Sequence, residues 1–189
     1  LQRLLLSNIS TLSGTLNLSA CTHLQEVHAD GTSLVQIILP KGGGLRSVEF
    51  SAYNQYLSLM NYPLMTNEGV GIGLCKEIIS DFFIAGCPMI NPMALLVDIM
   101  DAQSGQGSGH KLKRIRAVGF NETYNDSSVL DKLVALSNGT YEGLSAEGLS
   151  GEDEYPVLDG ILNVHASVYE DSLETLRTAF KKLELNITG

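Results

Sequence analysis

The sequence predicts an α/β fold: a right-handed solenoid of short parallel strands, with helices on its convex side in the C-terminal two-thirds. Apolar residues recur in pairs with one residue between them, and this period of two is typical of strands. The pairs follow one another at steps of about 9 to 11 residues, which leave no room for a helix between them. Helical periodicity appears only after residue 66, and strand, helix, strand connections favour parallel pairing.

Residues 1–66 form the first predicted section, a mostly β repeat. Two neighbouring steps add up to about 21 residues, for example from Leu16 to Ile37. A coil of this length cannot bury its own apolar edge, so we expect successive coils to stack their apolar side chains in one column. The pairs that define the period are Leu16/Leu18, Val27/Ala29, Ile37/Leu39, Val48/Phe50 and Leu57/Leu59.

Residues 67–189 form the second predicted section, in which longer strand and helix repeats continue the first and end in a terminal cap. Asn91 and Pro92 are typical of a helix start, because Asn caps the first turn and Pro lacks an amide hydrogen that would have no partner there. Lys181 and Lys182 lie at the end of the last predicted helix, where the helix dipole favours cations. Strands are expected within 79–90, 112–120, 160–165 and 183–187, and helices at 92–100, 127–136 and 170–182. The apolar stripe expected to face the core from the first helix is Met93, Leu96, Val97 and Met100.

Two adjoining segments carry a family resemblance: Thr15–Leu24, with the sequence TLNLSACTHL, and Leu24–Leu34. They resemble the short, Thr- and Cys-containing leucine-rich repeats of bacterial surface proteins. They are also similar to the repeat arrays of large tail or adhesion proteins of bacteriophages that infect gut bacteria. The resemblance covers Leu12 to Met60, and the segment from Pro156 onward looks like the terminal repeats of the same phage proteins.

The resemblance implies a leucine-rich-repeat-like solenoid that is not an enzyme. Such a module binds a protein or a surface glycan, or has a structural role, within a larger extracellular or virion-associated protein. Because the chain begins at Leu1 rather than Met, we expect it to be a piece of a longer protein that contacts neighbouring modules. A sandwich or barrel of short strands is the competing architecture, because regularly spaced strands suit those folds as well.

The charge distribution excludes some functions. The chain has 21 acidic and 12 basic residues, a formal net charge of −9, and all of the excess lies after Thr66. Nucleic-acid binding depends on clustered Lys and Arg, so we expect no nucleic-acid partner. No apolar run has the length that a membrane helix needs, so we also expect no membrane span.

The segment from Glu142 to Asp159 is the most acidic part of the chain. Its Gly and Pro residues favour a solvated loop, and a cation site or a face for a basic partner is the alternative. The acids are not spaced as in a calcium-binding loop. An enzymatic alternative, a carbohydrate-active hydrolase or lyase on a repeat scaffold, would use Asp153, Glu154 or Asp159 as paired carboxylates.

The cysteines Cys21, Cys75 and Cys87 cannot form a closed disulfide set, and their spacing matches no zinc site. We expect buried free thiols. Cys87 is a candidate nucleophile, because its place between a strand and a helix cap could lower its pKa. The Gly-rich segment 103–110 lacks the Gly-Lys-Ser/Thr ending of a phosphate-binding loop, and we expect no cofactor and no bound metal.

Aromatic residues supply one candidate binding patch. Tyr53, Tyr56 and Tyr62 cluster around the last apolar pair of the first section. On the concave side of the solenoid they would contact a protein or a carbohydrate. Core packing or loop support is the alternative role for these side chains.

Basic residues supply a second candidate. Arg114 and Arg116, together with Lys111 and Lys113, form the one basic cluster of the sequence. Its functional interpretation is a contact with an anion or an acidic glycan. The alternative is an exposed strand whose charges are paired with neighbouring acids.

Overall fold

The computed structural model describes residues 1–104, 112–124, 127–137, 156–165 and 170–189. In the first part of the chain, period-two patterning produces short strands that alternate between one four-stranded sheet and two other sheets, and all strand pairs are parallel. The strands are β1 (Arg3–Leu5), β2 (Ser13–Asn17), β3 (Glu26–His28), β4 (Ser33–Ile38), β5 (Ser47–Glu49), β6 (Tyr56–Met60), β7 (Val70–Gly71), β8 (Asp81–Ala85), β9 (Arg114–Tyr124), β10 (Val157–His165) and β11 (Leu183–Thr188).

One sheet contains four strands in the order β1, β3, β5, β7. Its central residues are in register, because Leu4 pairs with Val27, Val27 with Val48, and Val48 with Val70. The chain therefore returns to this sheet after about 21 to 23 residues, which agrees with the predicted repeat length. Val27 and Val48 are completely buried.

The other strands form a pair, β2 with β4, and a five-stranded sheet in the order β6, β8, β9, β10, β11. A hydrogen bond from the Gln55 amide to the Val35 carbonyl, 2.9 Å long, connects the β4 segment to the start of β6. The five predicted apolar pairs are thus divided among three sheets. Val27 and Val48 belong to the four-stranded sheet, Leu16 and Ile37 to the pair of β2 and β4, and Leu57 to the five-stranded sheet. All pairs between the described strands are parallel and no sheet closes on itself, so the alternative of a barrel is wrong.

Between the later strands of the five-stranded sheet, the chain forms helices instead of further strands of the four-stranded sheet. A short 3-10 helix, Gly73–Glu77, precedes α1 (Pro92–Ser104), α2 (Ser127–Ser137) and α3 (Glu170–Ala179). The predicted cap is confirmed, because the Asn91 Oδ1 accepts a hydrogen bond from the Ala94 amide at 2.7 Å. Met93, Leu96 and Met100 are completely buried, as their spacing predicts, and Val97 packs against the core half-buried.

All three helices share a single buried cluster with the inward side chains of the five-stranded sheet and with the centre of the four-stranded sheet. The fold is therefore mixed α/β with parallel sheets. In the described ranges, the five-stranded sheet lies on one side of the core. The four-stranded sheet and, after it along the chain, the helices lie on the other side.

Three local features differ from the prediction. The strands β1 and β7 were not anticipated, because a strand of two or three residues gives almost no periodicity. The helix α3 ends at Ala179 rather than residue 182, because the chain turns there, with the Leu183 amide bonded to the Phe180 carbonyl at 2.9 Å.

The third difference is a β-bulge in β9. Val118 pairs with Asp159 and Phe120 with Gly160, so Gly119 has no partner across the ladder, and its φ is 82°. The inward positions change from Ile115 and Ala117 before the bulge to Phe120 and Glu122 after it. The inward and outward positions therefore exchange at Gly119, and the strand continues to Tyr124 rather than ending at residue 120 as predicted.

Candidate functional site

The strongest candidate for a binding site is the outward side of the five-stranded sheet, which we call the open face. Leu57, Phe82 and Ile115 are completely buried on the inward side, so the residues that alternate with them point outward. The helices in the described ranges pack with the inward residues, which leaves the outward side without a covering helix there. The open face is made of Tyr56, Ser58, Met60, Asp81, Phe83, Ala85, Arg114, Arg116, Val118, Val157 and Asp159.

The first row of the open face contains an ion pair. Parallel register aligns Tyr56 with Asp81 and Asp81 with Arg114. The guanidinium of Arg114 binds Asp81 with two nitrogens: Nε donates to Oδ1 at 3.1 Å, and Nη2 donates to Oδ2. The Asp81 side chain is only 5% exposed, whereas that of Arg114 is 44% exposed. The predicted alternative of a salt-bridged strand therefore applies to Arg114.

The second row adds an aromatic ring and a second arginine. Phe83 is aligned with Ser58 on one side and with Arg116 on the other. The guanidinium carbon of Arg114 lies 5.6 Å from the centroid of the Phe83 ring, within the range of a cation–π contact. Two of the predicted binding residues, Arg114 and Arg116, are thus on the same face as Tyr56.

A cleft of about 270 Å³ adjoins the open face where β4 and β6 separate. Ile38 and Met60 on its rim are 37% and 39% exposed, so both side chains are accessible to a partner. Its lining residues are Gln36, Ile37, Ile38, Leu39, Lys41, Tyr56, Ser58, Met60 and Tyr62.

The three predicted tyrosines do not form one exposed patch. Tyr56 is half-buried on the open face, and Tyr53 is 57% exposed on the turn before β6. Tyr62 is only 3% exposed, and its hydroxyl donates to the Pro40 carbonyl at 2.7 Å. Burial raises the pKa of Tyr62 to about 12. Tyr62 therefore supports the wall of the cleft, and its assignment as an exposed contact residue is wrong.

A second cavity, of about 230 Å³, lies beside the open face where α3 ends, and we call it the basic cavity. Arg116 on β9 and its register partner Val157 on β10 contribute to one wall. Sequence reasoning assigned Lys181 and Lys182 only to the helix dipole, because their approach to Arg116 depends on the folded positions of three distant elements. The lining residues are Arg116, Pro156, Val157, Leu158, Ala179, Phe180, Lys181 and Lys182.

The acidic residues proposed for the enzymatic alternative are only partly described. Asp159 lies on the open face, aligned with Val118. Asp153 and Glu154, the rest of the acidic segment before Pro156, and Lys111 lie outside the described residues.

The candidate nucleophile Cys87 is buried. A nucleophilic thiol needs a lowered pKa, but the surroundings of Cys87 raise its pKa. Burial raises the pKa of the Cys87 thiol, and hydrogen bonds from the backbone lower it by less. Its Sγ is 3.5 Å from the Leu59 carbonyl oxygen. A thiol in this state is a core residue, and the nucleophile hypothesis for Cys87 is wrong.

Glu122 is a buried ionisable group that no motif of the sequence indicates. Its side chain points inward after the bulge, and the residue is 8% exposed. Oε2 accepts a hydrogen bond from the Tyr124 hydroxyl at 2.9 Å, and no described residue bonds to Oε1. Burial raises the pKa of Glu122, although Tyr124, the Asn91 side chain and the Met93 amide all favour the ionised form.

Comparison of the chain with protein-family models, with curated proteins and with solved structures finds no match. Within the described residues there is no group of three or more His, Cys, Asp or Glu side chains that could hold a metal ion. No helix in those ranges is long and apolar enough to cross a membrane.

Proposed function

We propose that this chain is a leucine-rich-repeat-like solenoid that serves as a non-enzymatic recognition module of a larger extracellular or virion-associated protein. Its partner is a protein or a surface glycan, bound on the open face. The observation that carries this proposal is the set of half-buried aromatic, apolar and charged side chains on one parallel sheet, with all described helices on the other side.

The repeat geometry supports the solenoid part of the proposal. The register steps of the four-stranded sheet fall within the range of 20 to 29 residues known for leucine-rich repeats. Solenoids of this kind use an extended sheet surface for recognition. The fold by itself does not fix a function, so the site must be tested directly.

The chemistry of the open face supports recognition rather than a role limited to packing. Aromatic residues and Arg are enriched in the central residues of binding surfaces. Phe83 and Arg116 lie on the inner strands β8 and β9, and Tyr56 lies beside them on the edge strand β6. Met60 adds an adaptable apolar contact at the rim of the cleft. The bound pair of Asp81 and Arg114 holds the first row rigid, which lowers the entropy cost of binding.

The test uses the purified chain on an array of bacterial surface polysaccharides and on an array of bacterial surface proteins. Met60→Asp places a charge on the open face, and Leu5→Asp makes the same change on the four-stranded sheet, where Leu5 is 62% exposed. We expect the unmodified chain to bind on one array, Met60→Asp to weaken that binding about tenfold or more, and Leu5→Asp to leave it unchanged.

The contrary outcomes are equally specific. If Met60→Asp binds as strongly as the unmodified chain, the open face is not the binding site. If the unmodified chain binds on neither array, the recognition function is rejected. Release of reducing ends from a bound polysaccharide, lost in Asp159→Asn, would replace the binding module with the enzymatic alternative.

A further inference from the structure

We propose that the basic cavity holds the anionic group of an acidic saccharide. This inference rests on the proposed recognition function and names the class of partner. The cavity adjoins the open face through Arg116, which belongs to both. A polysaccharide lying across the open face would therefore place a sugar residue at the cavity.

The basic cavity differs in charge from the chain as a whole. The chain carries a net charge of −9, yet Arg116, Lys181 and Lys182 line this one cavity. No acidic residue lines it in the ranges that the structure describes. At physiological ionic strength, charges more than about 8 Å away are largely screened, so distant acidic residues contribute little to the potential at the cavity.

The fold places these cations together for a physical reason. The helix α3 ends at Ala179, and Phe180 turns inward to be only 4% exposed, which leaves Lys181 and Lys182 on the solvent side of the turn. The Arg116 side chain approaches from β9, whose start lies beside that of β10. Both lysines thus reach the cavity from one wall and the arginine from another.

The shape of the cavity limits the size of the ligand. A volume of about 230 Å³ is below the roughly 300 to 1,000 Å³ of pockets that enclose drug-sized molecules, so the cavity suits one sugar residue rather than a whole chain. Pro156, Val157 and Ala179, which are half-buried or exposed, supply apolar surface for the C–H face of a sugar ring. Arg binds a carboxylate or a phosphate with two nitrogens, and each Lys adds a point charge.

The anionic group is a carboxylate or a phosphate, and two probes distinguish these sources. Trigalacturonate carries sugar carboxylates, and a glycerol phosphate trimer carries phosphates. Maltotriose, which is uncharged, is the control. Short probes are used because a long polyanion would also be repelled by the acidic residues elsewhere on the chain. Affinity is measured by isothermal titration calorimetry with the full chain.

Two charge reversals are compared with a matched control on the preceding helix, α3. Lys181→Glu and Lys182→Glu alter the cavity, whereas Arg177→Glu makes the same change at an exposed position of α3 that does not line it. We expect the chain to bind one acidic probe and not maltotriose. Each lysine reversal should weaken binding about tenfold or more, and Arg177→Glu should change it less than about twofold. The double variant Lys181→Arg, Lys182→Arg keeps both charges and should retain binding.

The inference is overturned if neither acidic probe binds, if maltotriose binds as well as they do, or if the lysine reversals bind like the unmodified chain. Such a failure is distinguishable from failure of the proposed function. Loss of array binding in Met60→Asp would still establish the open face as a recognition surface.

Discussion

Burial divides the three cysteine residues into two groups. Cys75 is completely buried, its Sγ donates to the Ile72 carbonyl at 2.8 Å, and burial raises the pKa of its thiol to about 12. Burial also raises the pKa of Cys87. Cys21 is only partly covered by its neighbours. Because the thiolate is the reactive form, the two buried thiols are protected in two ways: a reagent cannot reach them, and their raised pKa keeps them protonated.

We therefore predict that a thiol reagent such as Ellman's reagent modifies one cysteine in the folded protein at pH 8 and all three in denaturant. Cys21→Ser should abolish the reaction of the folded protein, and Cys87→Ser should leave it unchanged. Rapid native labelling that disappears in Cys87→Ser would contradict the assignment of Cys87 to the core.

The buried carboxyl of Glu122 predicts a specific dependence of stability on pH. Because its pKa is raised in the folded state, the unfolded chain loses this proton first as the pH rises, and the free energy of unfolding falls from the ordinary Glu range up to the raised pKa. Glu122→Gln removes this contribution. The stability of Glu122→Gln relative to the unmodified chain should therefore increase with pH across that window.

The measurement is urea denaturation from pH 4 to pH 8, followed by circular dichroism. Glu184→Gln, at an exposed position of β11, is the matched control and should give a curve parallel to that of the unmodified chain. A parallel curve for Glu122→Gln as well would show that burial of Glu122 carries no cost.

At the scale of elements, the close approach of β9 and β10 depends on Gly160. A Cβ at this position would lie 2.5 Å from the Phe120 carbonyl oxygen and 2.7 Å from its ring. Gly44 has a similarly ordinary backbone, but the nearest atom to its Cβ would be 3.9 Å away. Gly160→Ala should destabilise the fold by about 1 to 3 kcal/mol, and Gly44→Ala should change stability by less than about 1 kcal/mol. Thermal and urea unfolding check both values, and equal effects would mean that Phe120 moves away freely.

The ion pair between β8 and β9 gives a second prediction at this scale. Arg114→Ala leaves the carboxylate of Asp81 buried without its partner and should cost about 3 kcal/mol of stability. The double variant Asp81→Ala, Arg114→Ala removes both charges and should be less destabilised than the sum of the single variants. Urea denaturation of the four proteins measures this coupling. Additive effects would show that the pair does not act as a unit.

Particular residues show what the sequence can predict. The alternation of Ile115 and Ala117 with Arg114 and Arg116 correctly predicts that both arginines share one face. Their surroundings depend on contacts between distant elements: Asp81 meets Arg114 through strand register, and Lys181 reaches the basic cavity through the end of α3. The sequence leaves Tyr62 open between a contact role and core packing, because its position after β6 gives no periodic signal, and the structure shows core packing.

At the scale of the whole molecule, stabilisation passes from each strand to its neighbours. Every strand of the five-stranded sheet pairs only with the strands beside it, and β6 and β11 are at its edges. The residues around β1 are also poorly covered, with Leu1 65%, Leu5 62% and Ile9 44% exposed. A nearest-neighbour array of this kind is held most firmly at its centre.

We predict a gradient of amide hydrogen exchange along the chain. Amides of β8 and β9 have a paired strand on both sides and adjoin completely buried residues such as Phe82 and Ile115, so they should exchange most slowly. Each of β1 and β11 pairs with only one described strand, so local opening breaks all of its strand pairing, and its amides should exchange much faster. Hydrogen exchange with mass spectrometry measures the gradient directly. Uniform protection from β1 to β11 would instead show that the core opens in a single cooperative step, and that the stability of the open face cannot be altered from the ends of the array.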